Sequence, residues 1–390
     1  MKNGIIFLLI TVFFSNVKGY GQNAPTITLN TEDMNLLREE SFSVKRISDA
    51  KSELLRVCDQ ILTNKRTYSV TYNGSSLKGV SSNNYISYRA YMWPNPYTKS
   101  GLPYVLIDGK RNPQNDRNSD RPILNDLSRD IFQLGLAYFY TNEEKYVKRA
   151  IVLLDCFFID SKTRMEPNFN FSQIIPDQPE TGGATIEAAI FIDILEGIQF
   201  MRSSPNFSPR VDEDLKKWFR DFITWAEENP KGRINKGYQN NRGTYYTLLR
   251  CDIAVFLNDI ELAKKIFEKE AFKRVIDQIS SEGEMKYELR RATPLGYLKY
   301  NLQAFDELDE IGKKIGFDLY NYQGPKGQGL KKAFEWLDRY KTGESIWTYS
   351  PEVGITNHRR IIMKDEDEMV VKFSVERFDN YLEILTHYKR

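Results

Sequence analysis

Apolar side chains recur at three- and four-residue intervals along most of this chain, the spacing of helices that bury one face. Residues 34–62 carry the pattern without internal Pro or Gly and predict one helix. Residues 123–140 set Ile131, Leu134 and Tyr138 on one stripe, 141–144 offer a cap with acids in the turn that follows, and 146–158 return. Together they predict an αα-hairpin. Further helices are predicted at 185–201, 212–228, 243–257, 260–280, 296–315 and 331–340. No interval makes a βαβ unit. Helix pairs joined by loops, without a strict repeat, predict an all-α toroid or irregular solenoid rather than a bundle.

The pattern breaks in three places. Residues 68–109 hold Ser/Asn clusters, a run of aromatics from Tyr85 to Trp93 and the turn-rich Trp93-Pro94-Asn95-Pro96, and predict a long ordered loop layer. Residues 350–373 place short β-branched runs either side of the charge run 364–368, which predicts a small β segment around a solvated turn. At the start, Lys2 precedes an apolar run at 4–14, too short to anchor in a bilayer, and small residues follow at Gly19 and Gly21. That is the pattern of a cleaved secretory signal, and no cysteine lies there to carry a lipid. The expected organisation is a signal peptide at 1–21, one catalytic-sized domain at 22–345 and a C-terminal segment, 346–390, packed on it. No later segment is apolar enough to cross a membrane.

Composition narrows the chemistry. With 41% hydrophobic and 28% charged residues among 390, the chain is globular rather than disordered or a coiled coil. Lys and Arg number 55 against 53 Asp and Glu, a balance that argues against a nucleic-acid partner. There are two histidines, His358 and His387, neither with a nearby partner ligand, so histidine triads and multi-histidine metal sites are nearly excluded. No metal or other cofactor is expected. Tyrosines are plentiful at 23, and they offer flat faces with titratable hydroxyls. Cys58, Cys156 and Cys251 allow at most one bridge, and buried free thiols are the default.

Three stretches could carry chemistry. In Tyr238-Gln239-Asn240-Asn241-Arg242-Gly243-Thr244-Tyr245-Tyr246, amides, a guanidinium and phenols crowd a helix N-terminus that favours anions. The plainer account is that Asn241 or Thr244 caps the helix. In Glu288-Leu289-Arg290-Arg291-Ala292-Thr293-Pro294-Leu295-Gly296-Tyr297, two arginines in a turn precede a tyrosine, and nearby guanidiniums make a phenol easier to ionise. A surface arginine pair beside a core tyrosine would look the same. The third stretch, Thr163 to Gln173 with Arg164 and Asn170, is amide-rich and aromatic. With Trp93 it could line a sugar cleft, or it could be a connecting loop.

In order along the chain, Tyr91-Met92-Trp93-Pro94-Asn95-Pro96, Gly101-Leu102-Pro103-Tyr104, Asp108-Gly109, Thr163 to Gln173, Asn240 to Tyr246, Glu288 to Tyr297 and Asn301-Leu302-Gln303-Ala304-Phe305 resemble the alginate lyase family of polysaccharide lyases, most closely its Bacteroides-type branch acting on alginate and glucuronan-like polymers. The resemblance covers about residues 85–320. It implies an (α/α) toroid, an incomplete helical barrel, and a secreted or periplasmic enzyme that takes an anionic polysaccharide. Carried over, the catalytic Asn falls on Asn241, the Arg on Arg291 with Arg290 as the other register, and the Tyr on Tyr297. Where the family has His after the second Asn, this chain has Arg242, and the aromatic that follows is Tyr245. Asn240, Tyr245, Tyr246, Arg290, Trp93, Arg164, Asn170 and Gln173 are the expected substrate contacts.

The implied reaction is β-elimination, with Tyr297 as base and acid, Asn241 donating to the uronate carboxylate, and Arg242 and Arg291 supplying positive charge. Arginine stays protonated and cannot replace a histidine base, so syn elimination alone is expected, on mannuronate or glucuronate rather than guluronate. Two rivals remain at this level. One is a non-catalytic uronate-binding relic of a lyase. The other is a glycoside hydrolase drawing on Glu166, Asp177, Glu180 or Glu187, whose chemistry needs two carboxyls about 5–10 Å apart.

Overall fold

The computed structural model describes residues 26–74, 77–341, 344–345 and 347–349. The signal, the β-branched tail with its charge run, His358 and His387 lie outside them. Helices α1 (Thr31–Glu40), α2 (Lys45–Thr63), α3 (Pro113–Arg117), α4 (Arg121–Thr141), α5 (Glu144–Leu154), α6 (Phe191–Met201) and α7 (Pro209–Glu228) make the first half. The second half holds α8 (Asn241–Phe256), α9 (Ile260–Ile266), α10 (Phe272–Gln278), α11 (Lys286–Leu289), α12 (Pro294–Ile315) and α13 (Leu330–Lys341). Successive helices pack on one another, with α4 and α8 most deeply buried, in an all-α (α/α) toroid.

The spread of apolar residues separates outer from inner helices. Amphipathic α7 turns Leu215, Trp218, Phe219 and Phe222 inward, whereas α8 is buried on nearly every face from Gly243 to Phe256. Trp218, Phe219 and Phe222 pack edge-on against Phe158, Phe169 and Phe191. The tightest helix contact is between α4 and α6. A Cβ at Gly135 would lie 2.3 Å from the carbonyl oxygen of Gly197, and one at Gly197 would lie 2.7 Å from that of Ile131. Two glycines therefore let the backbones touch where any side chain would separate them.

Several expectations need correction. The single helix at 34–62 is two, broken at Ser41–Val44, where the Ser41 hydroxyl bonds the carbonyl of Arg38. Residues 141–144 do not supply a side-chain cap: Asn142 closes α4 in the left-handed conformation, φ 56°, and Glu143 makes no capping bond. The stretch Thr185–Ile190 is 3₁₀ and α-helix begins at Phe191, while 260–280 is interrupted by a π-turn at Phe267–Ala271. The loop layer is ordered by four short strands, β1 (Ile86–Tyr88), β2 (Met92–Trp93), β3 (Val105–Leu106) and β4 (Phe171–Ile174). Strand β1 pairs in parallel with β4, and β2 antiparallel with β3. Cys58 and Cys251 are buried free thiols, whereas Cys156 is half-buried beside the Tyr72 hydroxyl.

Candidate active site

The loop layer and the N-terminal ends of α8 and α12 enclose a cleft of about 700 Å³. Its lining brings together Asn241, Arg242, Tyr245, Arg291, Tyr297 and Gln173 from the expected set. Each is held by identifiable local structure. Asn240 is the N-cap of α8, its side-chain oxygen accepting from the Arg242 amide, so the cap belongs to neither Asn241 nor Thr244. Gly243 is required just behind: a Cβ there would lie 2.0 Å from the Tyr238 carbonyl oxygen and 2.6 Å from Arg274. Asn241 is thereby turned inward, only 3% exposed.

Glu288 fixes the Asn241 amide. Its carboxylate accepts the Asn241 backbone N–H and, at 3.0 and 2.9 Å, the side-chain Nδ2, while Asn301 adds a further bond at 2.9 Å. Burial pushes the Glu288 pKa up, and the Asn241 bonds oppose that shift. One Asn241 N–H remains for a ligand, since an amide carries two.

Tyr297 lies in the first turn of α12, after Pro294 at a position where its missing N–H costs nothing. The Arg291 guanidinium sits 3.6 Å from the centre of the Tyr297 ring. Asp108 holds Arg291 in a fork at 3.0 and 2.7 Å and also accepts the Ala292 amide at 3.1 Å; Arg291 lines the cleft, whereas Arg290 is exposed. The fork keeps the Asp108 carboxyl below the usual range. The Tyr297 hydroxyl donates to Tyr91 at 3.0 Å. Contrary to expectation, the Tyr297 pKa is raised: burial and the Tyr91 bond outweigh the lowering by Arg291. Without a ligand Tyr297 is therefore a neutral phenol.

Tyr245 is buried at the cleft floor and stacks on Tyr300, ring centres 4.3 Å apart. Other expected contacts do not reach the cleft lining. Tyr246 is fully buried and donates to the Ala226 carbonyl at 2.9 Å. Asn170 accepts from Trp225, the Arg164 carbonyl accepts from Asn83, and Trp93 bonds Lys110, whose ammonium covers its ring at 4.9 Å. These are framework bonds, which amides and rings form as readily as ligand contacts. Of the four acids weighed for hydrolysis, Glu187 alone lines the cleft, and it is paired with Arg121 while accepting from Tyr85 and Ser87. Residues without an assigned role in the sequence also shape the cleft: Tyr91 and Arg89 line it, while Asp108 and Glu288 hold Arg291 and Asn241. Tyr91, Asp108 and Glu288 stood inside the motifs quoted above; nothing local marked Arg89.

The alginate lyase family profile matches residues 69–347. An alginate lyase from Bacteroides ovatus is 30% identical, with 84% of this chain and 87% of that one aligned at a TM-score of 0.79. A histidine-to-alanine variant of alginate lyase A1-III, an enzyme from Sphingomonas species A1, was solved with a tetrasaccharide. It shares the fold at 17% identity, with 77% and 80% of the chains covered and a TM-score of 0.50. No curated protein sequence matches the chain. With the profile spanning most of its length and the cleft built from the motif residues, the chain belongs to the alginate lyase family and is a polysaccharide lyase.

Proposed function

We propose that this lyase cleaves a uronic-acid polysaccharide, mannuronate- or glucuronate-containing, by syn β-elimination with Tyr297 as both base and acid. The observation that carries this is the Tyr297 phenol, flanked by Arg291 and Tyr91, in a cleft with Asn241 and several guanidiniums. The obstacle is the weak acidity of C5 beside a carboxylate already charged. Donors and cations aimed at that carboxylate lower the cost as charge develops on it. Asn241, oriented by Glu288, supplies a donor, and Arg242 and Arg291 supply charge.

The Tyr297 phenolate takes the C5 proton, and the C–H electron pair becomes the C4–C5 double bond. The C4–O bond breaks, and the same phenol returns its proton to the leaving oxygen. Proton count closes on one residue, and water takes no part. Because the resting phenol is neutral, its proton must first pass to bulk solvent, after which each elimination returns Tyr297 to the phenolate. The Tyr91 hydroxyl at 3.0 Å can reverse its bond and donate to the phenolate, and Arg291 favours the anion.

A single base on one face serves substrates whose C5 proton and C4 oxygen lie on that face. Mannuronate and glucuronate present this arrangement, and guluronate presents the opposite one. With arginine at 242, no second base stands at that position. Ultraviolet absorbance of the conjugated product should rise on polymannuronate or glucuronan and stay low on polyguluronate. Comparable rates on polyguluronate would refute the syn assignment. We further propose export through the 1–21 signal to the periplasm or beyond. No helix among the described residues is long and apolar enough to cross a membrane.

A further inference from the structure

The cleft continues well past the tyrosine that reacts. On α12 its lining follows one face of the helix from Tyr297 through Tyr300 and Gln303 to Glu307, at three- and four-residue steps. Ten residues of helix carry that face about 15 Å beyond the first turn. A second wall comes from Ile190, Ile192 and Asp193, where the 3₁₀ run passes into α6.

On each inner helix the lining then stops between one turn and the next. Asp193 lines the cleft and Glu196 is buried; Tyr245 lines it and Leu248 is buried; Glu307 lines it and Glu310 is buried. The first described residues of the chain close this end. Thr26 to Leu29 are buried and bonded to both α6 and α12. Glu196 accepts the Ile27 and Thr28 amides and the Thr28 hydroxyl at 2.7 to 3.0 Å. Lys314 donates to the carbonyls of Thr26, Ile27 and Leu29 at 3.2, 2.7 and 2.6 Å, and Asn30 donates to Glu310 at 3.3 Å. Glu196 and Lys314 lie one and two turns past the last lining residues, so the segment is bolted across the bottom of the cleft and leaves no exit among the described residues.

The deep end also differs in chemistry from the mouth. The cleft arginines stand in the loop layer or at helix N-terminal ends, whereas the deep turns offer Tyr300, Gln303, Glu307 and Asp193. Tyr300 and Gln303 are exposed there, and Gln303 donates to Glu307 at 2.9 Å. Amides, phenols and carboxylates exchange hydrogen bonds with sugar hydroxyls, while a uronate carboxylate pressed against two acids is repelled. A terminal sugar can turn hydroxyls to such a wall. A polymer running on past it cannot.

We propose that the cleft is a blind well that seats one end of the polysaccharide, with the terminal sugar's hydroxyls against Gln303, Glu307 and Asp193. The enzyme then shortens chains from that end, and the depth from Tyr297 to Glu307 fixes the short product. The inference rests on the lyase reading for the cut, not for the seat.

Binding is measured apart from turnover on Tyr297→Phe protein, by calorimetry with polymannuronate fractions of increasing length. One protein should bind per chain at every length, because each chain has one end of the kind that fits. Gln303→Trp, an exposed position where a large ring fills the well without entering the core, should weaken binding at least about tenfold with Tm unchanged. Wild-type protein should release short unsaturated oligosaccharides from the first time points while viscosity falls slowly. Protein-to-chain ratios that grow with length overturn the proposal. So does a Gln303→Trp variant that binds as tightly as its parent. If one protein binds per chain but no polymer yields unsaturated product, the lyase reading fails and the seat stands. If unsaturated product appears first as a ladder of long chains with an early collapse in viscosity, the seat fails and the lyase reading stands.

Discussion

Glu288→Gln isolates the part of the site that aims Asn241. The carboxylate accepts the Asn241 backbone amide, the Asn241 side chain and the Asn301 side chain, and it is 1% exposed. Glutamine has the same shape, and its one oxygen can keep the Asn241 amide and Asn301. Its new NH₂ then faces Asn241 Nδ2, donor against donor, and the Asn241 amide must turn. Bonds to a charged acceptor contribute about 1.5–3 kcal/mol each and neutral ones about 1 kcal/mol. Three weakened bonds would cost about 3 kcal/mol, and relief from burying a charge returns part of that. A net loss of about 2 kcal/mol follows, which lowers Tm by roughly 2–3 °C for a chain of this size. The catalytic effect is larger: a misdirected donor to developing charge costs about 100-fold in kcat. Differential scanning calorimetry and the product-absorbance assay measure the two effects separately. Glu288→Gln protein with wild-type kcat would refute the claim that Asn241 must be oriented to act.

Helix packing and pH give further checks. Gly135→Ala drives a methyl into the Gly197 carbonyl and should cost about 3 kcal/mol or more, whereas Gly237→Ala, with open space around it, should stay within about 0.5 kcal/mol; denaturant midpoints compare them. Burial raises the pKa of Asp120 to about 6 and also raises those of Asp130, Glu196, Glu288 and Asp309. A carboxyl whose folded pKa exceeds its unfolded one binds its proton more tightly when folded, so stability increases as pH falls through that window. Asp120 alone can add about 3 kcal/mol between pH 6 and its unfolded value near 3.8. Asp108 and Glu270 shift the other way and lose stability only below their ordinary pKa values. Tm should therefore rise from pH 7 to pH 5, and less so in Asp120→Asn; a fall in Tm over that range in wild type would contradict the assignment.

The helix pattern was legible where one face is buried, as in α7, and less so where a bond local to the backbone intervenes. The break at Ser41 and the π-turn at Phe267–Ala271 leave the apolar spacing intact, so periodicity runs straight through them. At the site, Asn241, Arg242, Tyr245, Arg291 and Tyr297 were readable because motif and helix N-terminus coincide. Tyr246 was not, since one step along a helix turns a side chain by about 100°, from the cleft to the Ala226 carbonyl. Arg89 escaped notice because it enters the cleft from just beyond β1, and no local pattern encodes that. The raised Tyr297 pKa was equally hidden: the neighbouring arginine is visible in sequence, while burial and Tyr91 are not.

The central claim is that one tyrosine moves the proton both ways. It is tested most directly by following unsaturated product from polymannuronate with wild-type and Tyr297→Phe proteins matched for Tm and for tetramannuronate binding. The account predicts product from the wild type and a loss of at least about 1000-fold in the variant with binding retained, since base and acid are removed together. Turnover within tenfold of wild type in Tyr297→Phe, with fold and binding intact, would contradict it.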